Sequence, residues 1–377
     1  MSRVAEHLPV ALDVAVEQID VSVFTVPTEK PESDATLAWD ATTAIVVEAR
    51  GGGRVGLGYT YGEPATAGFI RRMLADVVRG RDVMAVGASW SAMVEAVRNA
   101  GRPGAVSMAI AAVDTALWDL KARVLDVSLA RLLGAVRTSV PVYGSGGFTS
   151  MTDAELVEQL SGWTAEGIPR VKMKVGTGWG RAPRRDLERA ARVRDALPVD
   201  CDLFVDANGG YTAKQSARLG VHFTEIGVTW FEEPVSSDHL EELALLRELL
   251  DIDIAAGEYG YDLAYFGRMC GARAVDVVQA DVTRCGGITE WLRIAALAAA
   301  HGLQISGHCA PALHAHVAAA VPNLAHVEYF ADHVRVENML FDGSLFPVAG
   351  DLQLRADGAG NGLILRIPDC ERYRVTA

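Results

Sequence analysis

The sequence predicts an α/β protein built on a (β/α)8 barrel, with an N-terminal α+β domain that caps it. Two observations lead there. From about residue 138 onward, short apolar runs alternate with longer amphipathic segments, the rhythm of parallel strand–helix units. There are eight such runs, the number that closes a barrel, and all but the first end in a charged or imidazole side chain. The first 137 residues read otherwise, as strands joined by tight turns followed by helical periodicity. A chain of 377 residues has room for both, since single cores seldom grow past roughly 250–300 residues.

In chain order, IDVSVFTVP and AIVVEARGGGRVGLGYTYG predict a small antiparallel sheet whose hairpin turns at the glycine cluster 51–53. Residues 68–133 predict helix, most clearly in SMAIAAVDTALWDLKARVL, where apolar residues recur at three and four spacing. The barrel runs follow: PVYGSGG, RVKMKVG, CDLFVDANGG, VTWFEEP, IDIAAGE, AVDVVQADV, LQISGHC and LAHVEYF. Helices are expected around 184–196, 213–226, 239–250 and 287–301. This places the capping domain at 1–137 and the barrel at 138–346, with 347–377 expected to pack back on the capping domain.

A formal net charge of −13 argues against nucleic-acid and membrane partners, whose phosphates a generally acidic surface repels. No run approaches the roughly 18 apolar residues of a membrane span, and the first residues lack a basic segment followed by an apolar one, so a cytoplasmic protein is expected. The five cysteines form no C-x-x-C pair and are odd in number, which predicts free thiols.

The polar residues at the strand ends carry the chemistry. Lys172 and Lys174 project from one face of RVKMKVG, while Val171, Met173 and Val175 face the other way. Asp206, Glu232, Glu258, Asp281, His308 and Glu328 follow at intervals of about 20–27 residues, one strand–helix unit each. In a barrel these ends converge on one rim. Three carboxylates crowded there, Asp206, Glu232 and Glu258, repel unless a cation lies among them, and all-oxygen ligation favours Mg2+. Asn208, two residues past Asp206, is placed to ligate or to support the site. Of the adjacent pair, equal spacing selects Glu232, and Pro234 biases Glu233 toward an extended conformation. Asp281 beside His308 makes an acid–base dyad.

The K-x-K strand, D-A-N, E-E-P, A-G-E, Q-A-D and S-G-H, in this order, resemble the enolase superfamily, specifically its mandelate racemase subgroup, over nearly the whole chain. That resemblance implies a barrel of the modified (β/α)7β kind, one Mg2+ per subunit held by Asp206, Glu232 and Glu258, and abstraction of the proton α to a carboxylate through an enediolate. Use of a Lys or His base with Mg2+ is a general pattern of that superfamily. By similarity, Lys174 is the base on one face of the substrate and His308, held by Asp281, works on the other. Lys172 stays charged and contacts the substrate carboxylate, and Glu328 hydrogen-bonds it in protonated form. A second ammonium and a metal close by disfavour the charged form of Lys174, as a base requires.

The resemblance further implies dehydration of an acid sugar, an aldonate or aldarate, to a 2-keto-3-deoxy acid. Racemisation or epimerisation of a 2-hydroxy acid is the alternative, and a non-catalytic relative is a third reading. A homo-oligomer, dimer or octamer, is expected on the same ground. Capping-domain candidates for substrate contact are Pro27 to Lys30, with Lys30 foremost, and Tyr59 and Tyr61. The basic stretch GTGWGRAPRRD (176–186) reads equally as contacts to a polyanion or as an exposed loop. His314 and His316 have the H-x-H spacing of metal-dependent amidohydrolases, but they follow the seventh strand on a predicted helix instead of lying near the first.

Overall fold

In the computed structural model, residues 14–355, and again 358–376, are described. The N-terminal stretch that was read for a targeting segment therefore lies almost wholly outside them. The capping domain opens with the antiparallel strands β1 (Gln18–Ser33), β2 (Ala38–Gly51) and β3 (Arg54–Tyr61). The β2–β3 hairpin turns at Gly52 and Gly53, whose φ values of 57° and 70° suit the tight turn that matches strand twist. The helix Ala105–Val124 lies across this sheet and buries Ala109, Ile110, Ala112, Val113, Ala116, Leu117 and Leu120 against it. Small residues make the approach close: a Cβ on Gly58 would stand 2.3 Å from the Ala112 carbonyl oxygen and 2.5 Å from the Ala116 nitrogen. Gly58→Ala should therefore destabilise the capping domain by about 1–3 kcal/mol. A thermal unfolding midpoint equal to wild type would show that the helix does not press on the sheet there.

The barrel strands are β4 (Ser139–Gly146), β5 (Arg170–Lys174), β6 (Asp202–Asp206), β7 (Val228–Glu232), β8 (Asp253–Ala256), β9 (Val277–Ala280), β10 (Gln304–Gly307) and β11 (Leu324–Phe330). All eight are parallel in sequence order, and β11 pairs with β4 to close the ring. Outward side chains such as Val171, Met173, Leu203, Val205 and Phe231 join the large core beneath the surrounding helices. Inward side chains stack in layers. Tyr143, Phe204, Trp230, Ala255 and Val277 make an aromatic plug, with Phe204 and Trp230 stacked at 5.2 Å. Because side chains alternate, the next inward residue above Phe204 is Asp206, and above Trp230 it is Glu232. Strand register places Lys174 opposite Asp206 and Asp206 opposite Glu232, so the three lie in a row across the rim.

Glu258 does not follow from alternation. Ala255 already faces inward, which would send an even-numbered residue outward. Gly257, at φ 133° and with room for no Cβ (the Gln279 carbonyl oxygen would be 2.1 Å away), breaks the alternation just before Glu258.

The C-terminal segment divides. Residues Asp351–Gln353 pair antiparallel with β4, adding to the barrel rather than to the capping domain. Further on, the Asn361 amide donates to Asp119 and the Val375 amide to the Val23 carbonyl, tying the chain end to the capping domain. All five cysteines are buried and unpaired. Among the described residues no helix is long and apolar enough to cross a membrane.

Candidate active site

The barrel mouth and the capping domain enclose a cavity of about 470 Å³. Lys174, Asn208, Glu258, Arg284, His308 and Glu328 line it from the barrel, and Asp34, Trp39, Thr42 and Tyr61 from the cap. Ligand oxygens of Asp206, Glu232 and Glu258 lie within 4.8 Å of one another, and all three residues are buried. Such carboxylates fit a hard divalent cation. Two further oxygens support that fit, since Asn208 Oδ1 and Glu233 Oε1 are buried without hydrogen-bond partners. Burial, added to the charges of its neighbours and against the pull of Lys172, pushes the Glu232 carboxyl up to about 8, the condition that a bound cation relieves.

Lys174 Nζ sits 2.5 Å from Asp206 Oδ2. Burial disfavours its charge, yet Asp206, Glu258 and Glu232 outweigh burial and raise its pKa. A divalent cation held by those carboxylates would offset the charge that raises it, the condition under which Lys174 is expected to serve as a neutral base. Lys172 is fully buried under the rim, 2.7 Å from Glu232 Oε1 and 2.8 Å from Glu328 Oε1, with its ammonium over the Tyr143 ring. It does not line the cavity, and it reaches a third rim carboxylate as well, Asp206 Oδ2 at 3.5 Å. At Glu328 burial would raise the carboxyl pKa, but Lys172, His308 and Lys174 lower it well below the carboxylate range.

His308 is set by Asp281. Its Nδ1–H donates to Asp281 Oδ2 at 2.8 Å, which turns Nε2 toward Glu258 Oε2 at 3.3 Å and Glu328 Oε2 at 3.6 Å. Burial opposes the imidazolium, but Cys309, Glu258, Glu328 and Asp281 together raise it well above its ordinary value. Asp281 in turn, though burial works against its charge, is brought down to about 2 by the His308 bond.

Of the substrate-contact candidates, the structure brings in Tyr61 alone. Its hydroxyl is buried without a partner, and its ring stacks on His333 at 3.6 Å. Tyr59 is buried in the core and donates to Glu337. Lys30 is exposed and paired with Glu155, outside this cavity. In the stretch 176–186 the basic side chains are also off the cavity: Arg185 pairs with Asp153, and Trp179 is 63% exposed. His314 and His316 are buried on the helix Pro311–Ala319, bonded to the carbonyls of Cys309 and Asn361, and take no part in the carboxylate cluster.

Among the site residues that the sequence pattern does not mark are Arg284, Cys309 and His333, and Pro234 biases its reading of Glu233 toward an extended conformation. Arg284, three residues past Asp281, reaches Glu258 at 3.2 Å and Asp281 at 3.5 Å and braces both. Its signal was that same-face spacing after a strand end. Cys309 and His333 line the cavity with no sequence mark beyond adjacency to His308 and to the last strand. Glu233 takes φ 38° and is buried beside the trio, where burial and then the Glu258, Asp206 and Glu232 charges hold its carboxyl well above the usual range.

Residues 18–134 match the mandelate racemase/muconate lactonizing enzyme N-terminal domain, and residues 155–369 match the enolase C-terminal domain-like family. The chain belongs to the mandelate racemase/muconate lactonizing enzyme family of the enolase superfamily. Its fold is that family's capped barrel and its cofactor is Mg2+. An L-talarate/galactarate dehydratase of Salmonella typhimurium is 32% identical over 343 residues, covering 88% of this chain and 84% of the relative. A crystal structure of an enzyme of that name from the same source, liganded with Mg and L-lyxarohydroxamate, has a TM-score of 0.89 at 29% identity, covering 100% of this chain and 96% of that one. A D-galactarolactone cycloisomerase of Agrobacterium fabrum is 32% identical over 289 residues, 74% of each chain. A mandelate racemase/muconate lactonizing enzyme-like protein from Rubrobacter xylanophilus has a TM-score of 0.93 at 50% identity, covering 96% of this chain and 100% of that one. This member of the family is an enzyme, and its named relatives include both dehydratases and cycloisomerases.

Proposed function

We propose that this enzyme dehydrates an acid sugar, an aldonate or aldarate, to a 2-keto-3-deoxy acid. The observation that carries the reading is that Lys174, at the end of the second barrel strand beside Asp206, and His308, just past the seventh beside Glu258, line one cavity. Asp206, Glu232 and Glu258 would hold Mg2+, which would offset their charge and supply stabilisation for the negative charge developing on the substrate carboxylate. Lys174 takes the α proton as a neutral amine. His308, kept protonated by its carboxylate neighbours, gives its Nε2 proton to the departing β-hydroxyl, which leaves as water. The enol that results becomes the 2-keto acid. Lys172 holds Glu232 and Glu328 in place below the reacting carbons. The walls favour a polyhydroxylated substrate, since Asp34, Thr42, Tyr61, Asn208, Arg284 and His333 supply polar groups in a space large enough for a small sugar acid.

The name of the dehydratase relative supports this reading, and that of the cycloisomerase supplies its main competitor. Incubating the Mg2+-loaded enzyme with a panel of aldonates and aldarates, and assaying 2-keto acid by its semicarbazone, should give product with at least one. Deuterium incorporation from D2O without any 2-keto acid would instead favour racemisation or epimerisation. Consumption of lactones alone would favour cycloisomerisation.

A further inference from the structure

Beside the oxygen-ligated site lies a second group of possible metal ligands, His308, Cys309 and Glu328, all buried. His308 Nε2 is 3.3 Å from Cys309 Sγ, Cys309 Sγ is 3.4 Å from Glu328 Oε2, and Glu328 Oε2 is 3.6 Å from His308 Nε2. Tetrahedral zinc bonded at about 2.3 Å to sulfur and about 2.0–2.1 Å to nitrogen and oxygen sets its ligands roughly 3.3–3.6 Å apart. Each edge of the triangle lies within about 0.3 Å of the tetrahedral separation for its pair with no side chain moved. Its ligands are also braced as zinc ligands are. Asp281 accepts from His308 Nδ1 at 2.8 Å, and Glu328 Oε1 is held by Ser145 Oγ at 2.5 Å and Lys172 Nζ at 2.8 Å. Cys309 is fixed by a backbone at φ 52°, and its amide donates to Glu328 Oε2 at 2.9 Å. All three residues line the cavity.

We propose that His308, Cys309 and Glu328 form a second metal site, selective for a thiophilic divalent cation such as Zn2+, next to the Mg2+ site. Mixed nitrogen, sulfur and oxygen ligation rejects Mg2+ and favours the later transition metals. On binding, the Cys309 thiol and His308 Nε2 each release a proton to solvent. The occupied site withdraws His308 from proton transfer, so micromolar Zn2+ inhibits enzyme already saturated with Mg2+. The geometry stands whether or not the substrate is an acid sugar, and binding can be read without turnover.

The test is a Co2+ titration of the full chain in excess Mg2+, with Co2+ as a spectroscopic probe for the site. A thiolate-to-cobalt charge-transfer band in the near ultraviolet, saturating at one equivalent, is expected. Cobalt in the carboxylate site gives no such band. Cys309→Ser should abolish the band while Mn2+ binding to the carboxylates persists, and Asp281→Asn should weaken Co2+ binding by about 10–100-fold. Absence of the band in the wild type, or its survival in Cys309→Ser, would overturn the proposal.

Discussion

Replacing Lys174 with alanine should lower turnover of the Mg2+-loaded enzyme by about 10³–10⁴-fold, the range expected for removing a positioned general base. At about 1.4 kcal/mol per tenfold change, this is a loss of roughly 4–5.5 kcal/mol of transition-state stabilisation. The size follows from isolation. Lys174 is the one amine that lines the cavity among the described residues, and Lys172 is sealed beneath it by Glu232 and Glu328. Loss of the lysine also removes the partner of Asp206, so the variant must be compared with wild type at saturating Mg2+, with metal binding measured alongside. An activity within tenfold of wild type would remove Lys174 from the role of base.

His308→Asn should be as damaging to product formation but different in kind. An asparagine amide can still donate to Asp281, so the local bonding is roughly kept while the proton donor at Nε2 is lost. Departure of the β-hydroxyl then lacks its acid, and 2-keto acid formation should fall by about 10²–10⁴-fold. Lys174 still meets the α proton, so exchange of that proton with solvent should continue. Equal loss of exchange and dehydration would mean that His308 acts on the α carbon, as racemisation requires.

Much of this site could be read from the chain alone because a barrel strand converts sequence parity into direction. Lys172, Lys174, Asp206 and Glu232 follow from alternation and strand spacing; the register sets Lys174, Asp206 and Glu232 in one row, with Lys172 a layer below, opposite Phe204. Glu258 was found by spacing although parity opposed it; Gly257 supplies the missing turn of the chain. What sequence could not give was depth. Lys172 and Lys174 look equivalent in RVKMKVG, yet a step of two residues along the one strand decides which lies under the rim and which at the cavity surface. The charge states of Lys174 and Glu328 depend on summed interactions among groups from six strands, which no local pattern encodes. Tyr59 and Tyr61 alternate with the same parity, and helix Ala331–Leu340 decides between them by offering Glu337 to the first and His333 to the second. Lys30 lay beyond prediction because its partner, Glu155, begins a barrel helix far along the chain.

Solvent exchange at the α carbon separates the proposed base from the proposed acid in one experiment. With Mg2+ and a turned-over acid sugar in D2O, proton NMR should show α-deuterium entering with His308→Asn in the absence of dehydration, and none entering with Lys174→Ala. Exchange surviving in Lys174→Ala, or vanishing in His308→Asn, would contradict an amine and an imidazole working on the substrate from opposite sides of one metal.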